Sequence, residues 1–169
     1  MSASELPVEL DLLIETDGWA DEDKLRGLCD RAIAAAFRGA ALEVVPHSEI
    51  SLVFTCDEAI QQLNREWRGK DKPTNVLSFP GGDEDEPPFG PLLGDIVIAR
   101  QTVEREAAEM GIPFDDHLTH LLVHGTLHLF GFDHQIDEEA EEMEQFEREI
   151  LASIGVPDPY ADAPLSADT

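Results

Sequence analysis

Apolar and polar residues alternate over residues 6–15, where Leu6, Val8, Leu10, Leu12 and Ile14 recur at the period of a half-buried strand, and this segment is expected to open a sheet. From Asp21 the spacing lengthens. Leu25, Leu28, Ile33 and Phe37 predict a helix over residues 21–38, with Asp21 and Asp23 at its positive end and Gly39 as its C-terminal stop. Branched and aromatic content predicts a strand over 49–55, and Thr55 with Glu58 fits a capping box for a helix over 57–67. Two short apolar runs, 75–79 and 95–99, read as strands of one sheet. The PGGDEDEPPFGP between them, with its acidic 83–86 stretch, reads as a mobile surface loop. Three helices follow, over Arg100–Met110, 114–130 and 137–154. In the last, Met143, Phe146, Ile150 and Ile154 mark a buried stripe, while eight acids between Asp137 and Glu149 read most simply as a solvated face.

This order predicts an α+β fold: a single domain over residues 1–160 with a mixed sheet of about four strands covered by helices, followed by a loose tail over 161–169. An apolar fraction of 42% is enough for one core and excludes a wholly disordered chain. Charge narrows the partners. Eleven cations against 37 acids give a net charge of −26, so most of the surface repels nucleic acid, membrane headgroups and other anions. The first residues carry acids and no basic n-region, and the most apolar stretch, 118–132, is broken by histidines. The expected location is therefore cytoplasmic, with no membrane partner. Cys29 and Cys56 form no metal-binding spacing and are expected as free thiols.

Five of the six histidines fall between His117 and His134. His124 and His128, four apart, project from one face of a helix one turn from each other, close enough to share a metal ion. Gly131 tolerates the turn that returns His134 toward the same ion. Three imidazoles then leave a fourth position open, the arrangement of catalytic zinc, in a cleft beside the 114–130 helix. The spacing resembles the metzincin pattern HExxHxxGxxH, but Gly125 stands where those proteases carry their general-base glutamate. Asp133 either orients an imidazole or is ordinary loop chemistry. His120, one turn before His124, either lines the cleft as a support or is a satisfied structural histidine. His117 and His47 read as surface residues. Arg65, Arg68, Lys70 and Lys72 place four of the eleven cations within eight residues, a local anion site in an acidic chain. Thr74, Asn75 and Ser78 after it read equally as substrate contacts or as turn and strand polarity.

HGTLHLFGFDH at 124–134, with WRGKDKPTNVLSFP at 67–80 and LLGDIVIAR at 92–100, resembles the YbeY family of bacterial endoribonucleases, also called rRNA maturation factors. The likeness runs over about residues 51–160. It implies a zinc-dependent, single-strand-specific endoribonuclease that acts in 16S rRNA 3′-end maturation and ribosome quality control. On this resemblance His124, His128 and His134 hold the metal, with another divalent ion as the alternative to zinc. Arg68 matches an arginine important in the family and acts catalytically with His124; from the charge cluster alone, Arg65, Lys70 and Lys72 read equally as joining it in binding substrate or as surface cations near a helix C-terminus. The implied partners are single-stranded rRNA and the small ribosomal subunit or its proteins, with an assembly GTPase as a further one. Two other classes stay open: another metal-dependent hydrolase such as an atypical zincin-like peptidase, and a non-catalytic assembly factor braced by structural zinc.

Overall fold

The alternating segment forms strand β1 (Val8–Ile14), with Val8 and Leu10 buried and Glu9 and Asp11 exposed. Helix α1 (Glu22–Gly39) returns the chain so that β2 (Ser48–Thr55) pairs parallel to β1. The Asp21 carboxylate caps α1 by accepting the Lys24 N–H at 2.9 Å. Helix α2 (Asp57–Arg68) leads to β3 (Val76–Pro80), which pairs antiparallel with β4 (Leu92–Ala99); β4 in turn lies parallel to β2. The sheet order is β1-β2-β4-β3, leaving β3 on an edge. Three helices complete the chain: α3 (Arg100–Met110), α4 (Phe114–Leu129) and α5 (Asp137–Ser153). The structure, a computed structural model, describes residues 8–81, 91–132 and 137–158. It is the expected single α+β domain with a mixed four-stranded sheet. The acidic 83–86 stretch and the 161–169 tail lie outside the described residues.

The two faces of the sheet bury different partners. Leu10, Ile50, Leu52, Phe54, Ile96 and Ile98 meet α1, α4 and α5 in the main core, whereas Leu77, Val97 and Ala99 meet Ile60 of α2 on the other face. Helix α4 is the centre of the first layer: every residue from His117 to Leu127 is buried. A helix enclosed to that degree must find internal partners for any polar side chain it carries. Among the described residues, no helix is long and apolar enough to cross a membrane.

Two local expectations are corrected. Gly39 does not stop α1; it is the helix's last residue, and Ala40 forms the cap. Its missing side chain serves packing instead, since a Cβ there would lie 2.4 Å from Ile150 Cγ1 on α5. The capping box is also absent. Cys56, not Thr55, is the N-cap of α2 and its side chain makes no capping bond; the Asp57 N–H donates to Gln101 Oε1 at 2.8 Å. Thr55 stays in the sheet, paired with Ala99.

Candidate metal centre

The buried face of α4 carries His117, His120, His124 and His128 at intervals of three and four, so successive rings stand one turn apart. His124 and His128 are the nearest pair, with ring centroids 4.6 Å apart and planes at 77°. His120 lies 6.2 Å from His124 and 6.2 Å from His117. Into this row α5 inserts Glu147. Its Oε1 lies 2.6 Å from His120 Nε2 and its Oε2 lies 2.8 Å from His124 Nδ1, with all three residues buried.

Burial by itself raises the Glu147 carboxyl. The adjacent His124 and the hydrogen bonds from His120 and His124 outweigh it and hold the group well below the usual carboxylate range. An ionised carboxylate only accepts, so both rings donate to it. His124 thus presents Nδ1–H to Glu147, which orients the ring and makes Nε2 the atom that would face a metal.

Glu147 is the functional residue that sequence reasoning missed. Counted among eight acids of a solvated face, it is fully buried. The signal was its register: Glu147 stands four residues after Met143 and three before Ile150, on the same stripe as the two buried apolar residues. His117 is the second correction, since it is buried rather than on the surface. Its Nε2 lies 2.8 Å from Glu106 Oε1, which also accepts from Asn75 Nδ2 at 3.0 Å. The carboxylate of α3 thus joins α4 to the start of β3. His47 is exposed, as expected.

Gly125, in the position of the protease glutamate, packs tightly against the sheet. A Cβ there would sit 3.0 Å from Ile96 Cγ2 and 3.1 Å from Ser78 Oγ. Ser78 donates its hydroxyl to the Gly125 carbonyl at 3.0 Å, pinning edge strand β3 to α4 one residue from His124. Ser78 is therefore a buried strut, and Thr74 and Asn75 are buried as well, which fits their reading as turn and strand polarity. Gly131 makes the anticipated turn with φ +94, its N–H bonded to the His128 carbonyl at 3.1 Å. Asp133 and His134 lie outside the described residues.

Among the described residues, one group could hold a metal ion: His120, His124 and Glu147, whose ligand atoms lie within 4.8 Å of one another. It shares only His124 with the anticipated set.

The basic cluster is built separately, at the C-terminal end of α2. Gly69 adopts a left-handed conformation, φ +71, and the loop after it is tied back to the helix. Asn64 Nδ2 donates to the Lys72 carbonyl at 2.9 Å, Gln61 Nε2 donates to Asp71 Oδ1 at 3.0 Å, and Arg65 faces Asp71 at 3.6 Å. Arg65, Arg68, Lys70 and Lys72 are all exposed. No hydrogen bond or ion pair between described residues joins Arg68 to the histidines; the two groups belong to helices on opposite faces of the sheet, with β3 at the edge between them.

The model of the endoribonuclease YbeY family matches residues 14–155. The chain belongs to the YbeY family. That YbeY match runs from the last residue of β1 to just beyond α5, taking in the basic cluster, all five clustered histidines and Glu147. Endoribonuclease YbeY of Allorhizobium ampelinum is 56% identical over 161 residues, covering 91% of this chain and 95% of the relative. The YbeY of Rhizobium meliloti is 50% identical over 163 residues, covering 93% and 97%. The solution structure of TM1509 from Thermotoga maritima matches with a TM-score of 0.54 at 24% identity, over 93% of this chain and 99% of that one, a likeness of fold.

Proposed function

We propose that this chain is a metal-dependent, single-strand-specific endoribonuclease acting in 16S rRNA 3′-end maturation and ribosome quality control, with His124, His128 and His134 holding one zinc ion. The observation that carries the metal assignment is the Glu147 bond to His124 Nδ1, which orients the ring on a helix face where the His128 ring stands 4.6 Å away. The name borne by the relatives, endoribonuclease YbeY, supports the activity and with it an RNA substrate.

The donor set suits zinc, since imidazoles fixed through their other nitrogen are its common ligands. When bound, zinc supplies Lewis acidity, polarising the scissile phosphate and bringing the pKa of a bound water to about 7. The chain's own residues do the rest. Glu147 keeps the His124 ring oriented and in one tautomer, His120 anchors the other oxygen of Glu147, and Ser78 holds α4 against the sheet. Arg68, whose planar fork matches two phosphoryl oxygens, neutralises charge that builds on the phosphate, aided by Arg65, Lys70 and Lys72. Asp133 is a further orienting group for an imidazole.

In this reading His120 and Glu147 support the metal rather than bind it, because both Glu147 oxygens are already engaged by ring N–H groups. The discriminating experiment is elemental analysis of purified wild type, His120→Ala, His128→Ala and His134→Ala. The reading predicts one zinc per wild-type chain, none after loss of His128 or His134, and retained, weaker binding after loss of His120. Loss of metal with His120→Ala and its retention with His128→Ala would move the ion to the His120, His124 and Glu147 group. The small ribosomal subunit and an assembly GTPase are the proposed partners. They would present the RNA end to an acidic enzyme that binds naked RNA weakly.

A further inference from the structure

Resting on the nuclease reading, we infer that Trp67 is a stacking platform for a base of single-stranded RNA that reaches the histidine centre over the β3 edge. Trp67 lies one helical turn beyond Leu63, which packs into the small core under α2, but Trp67 itself is 70% exposed. Its one ring contact among the described residues is with Phe79 of β3, edge to face at 6.3 Å and 69°. That contact fixes the indole plane while leaving ring surface to the solvent. The other large exposed apolar side chains among the described residues, Leu13 and Leu92, offer no ring face.

Position and charge say what the face is for. Trp67 sits between Arg65 and Arg68, in the segment that holds four of the chain's eleven cations. An aromatic face among cations is the usual means of binding single-stranded nucleic acid without regard to sequence, the cations tracking phosphates while the ring stacks a base. Phe79, which sets the indole, directly follows Ser78, and Ser78 is bonded to Gly125 beside His124. A strand lying on Trp67 is therefore at the edge of the sheet that contacts the histidine helix. Stacking also answers a difficulty raised by a net charge of −26, because it adds affinity without long-range Coulombic attraction. Bases inside a duplex are already stacked and cannot take this seat, so the platform favours single strands.

The test is steady-state cleavage of a 12-nucleotide single-stranded RNA by metal-loaded wild type, Trp67→Ala and Trp67→Phe, with metal content and thermal midpoint measured on each. Trp67→Ala should raise KM by about fivefold to a hundredfold, the loss of one base–aromatic stack, with kcat within about twofold. Trp67→Phe should keep most of the wild-type KM. RNA binding should quench fluorescence of the wild type through Trp67, as the other tryptophan, Trp19, is half-buried and bonded to the Thr55 carbonyl. An unchanged KM in Trp67→Ala, with wild type cleaving normally, would overturn the stacking role and leave the nuclease standing. An unchanged KM accompanied by weaker binding to small ribosomal subunits would make the patch a protein contact and equally overturn it. A wild type that does not cut RNA would overturn both.

Discussion

Replacing Glu147 with Gln keeps the size of the side chain and removes its charge. The carboxylate accepts from two rings, at 2.6 Å from His120 Nε2 and 2.8 Å from His124 Nδ1, whereas an amide offers one oxygen and one NH2. One bond survives and the other becomes donor against donor in a fully buried site. A hydrogen bond to a charged group contributes about 1.5–3 kcal/mol, which in a domain of this size lowers the thermal midpoint by about 3–12 °C. Measured on chelated protein, that loss belongs to the fold alone. The second effect is on the metal: releasing the His124 ring from its fixed tautomer should weaken affinity about 10- to 100-fold. Dependence on pH supplies a further check. Glu147 titrates in the folded state below its ordinary 4.5, so its contribution is complete above about that pH and is lost as pH falls through the lower folded value. The Gln variant, which does not titrate, should lie well below wild type at neutral pH and converge on it in strong acid. Equal thermal midpoints at pH 7 together with unchanged metal affinity would refute the claim that Glu147 sets the His124 ring.

Gly125→Glu restores the protease glutamate on paper, yet its Cβ alone would press on Ile96 and Ser78 and its charge would be buried unpaired. It should cost about 3–5 kcal/mol in urea unfolding and yield no casein hydrolysis; a wild-type midpoint would contradict the close packing of α4 on the sheet. Burial, reinforced by Asp30 and opposed by Arg26, pushes the Cys29 thiol up to about 12, so the native protein at pH 8 should label at Cys56, with Cys29 reacting only on unfolding. Two rapidly reacting thiols in native protein would show that the α1 core is open. Arg68→Lys keeps the charge and loses the bidentate fork, so cleavage should fall severalfold or more while metal content stays at the wild-type value. Undiminished cleavage would reduce the role of Arg68 to charge alone.

The fold was legible where the pattern is local. β1 announces itself by alternation, α1 by its Asp21 cap, and α3 by a helical run that the structure reproduces over Arg100–Met110. The two apolar runs read as strands of one sheet are β3 and β4, and the structure adds that they pair antiparallel. What escaped is long-range. Glu147 lies 27 residues from His120 and 23 from His124, and its burial depends on how α5 rotates onto α4, which a run of acids conceals. His117 looked like surface because its partner, Glu106, comes from a different helix. Gly39 read as a helix stop because its true reason, Ile150, comes from α5. In each case the residue that decides the role lies on another element of the chain.

The most direct measurement of the central claim is cleavage of single-stranded RNA by wild type that has been chelated and then reloaded with one equivalent of zinc, beside His124→Ala treated identically. Duplex RNA serves as the control. The account predicts that chelation abolishes cleavage of the single strand, that one equivalent of metal restores it, that the duplex stays intact throughout, and that His124→Ala is inactive before and after reloading. Full cleavage by the chelated wild type, or by His124→Ala, would contradict it.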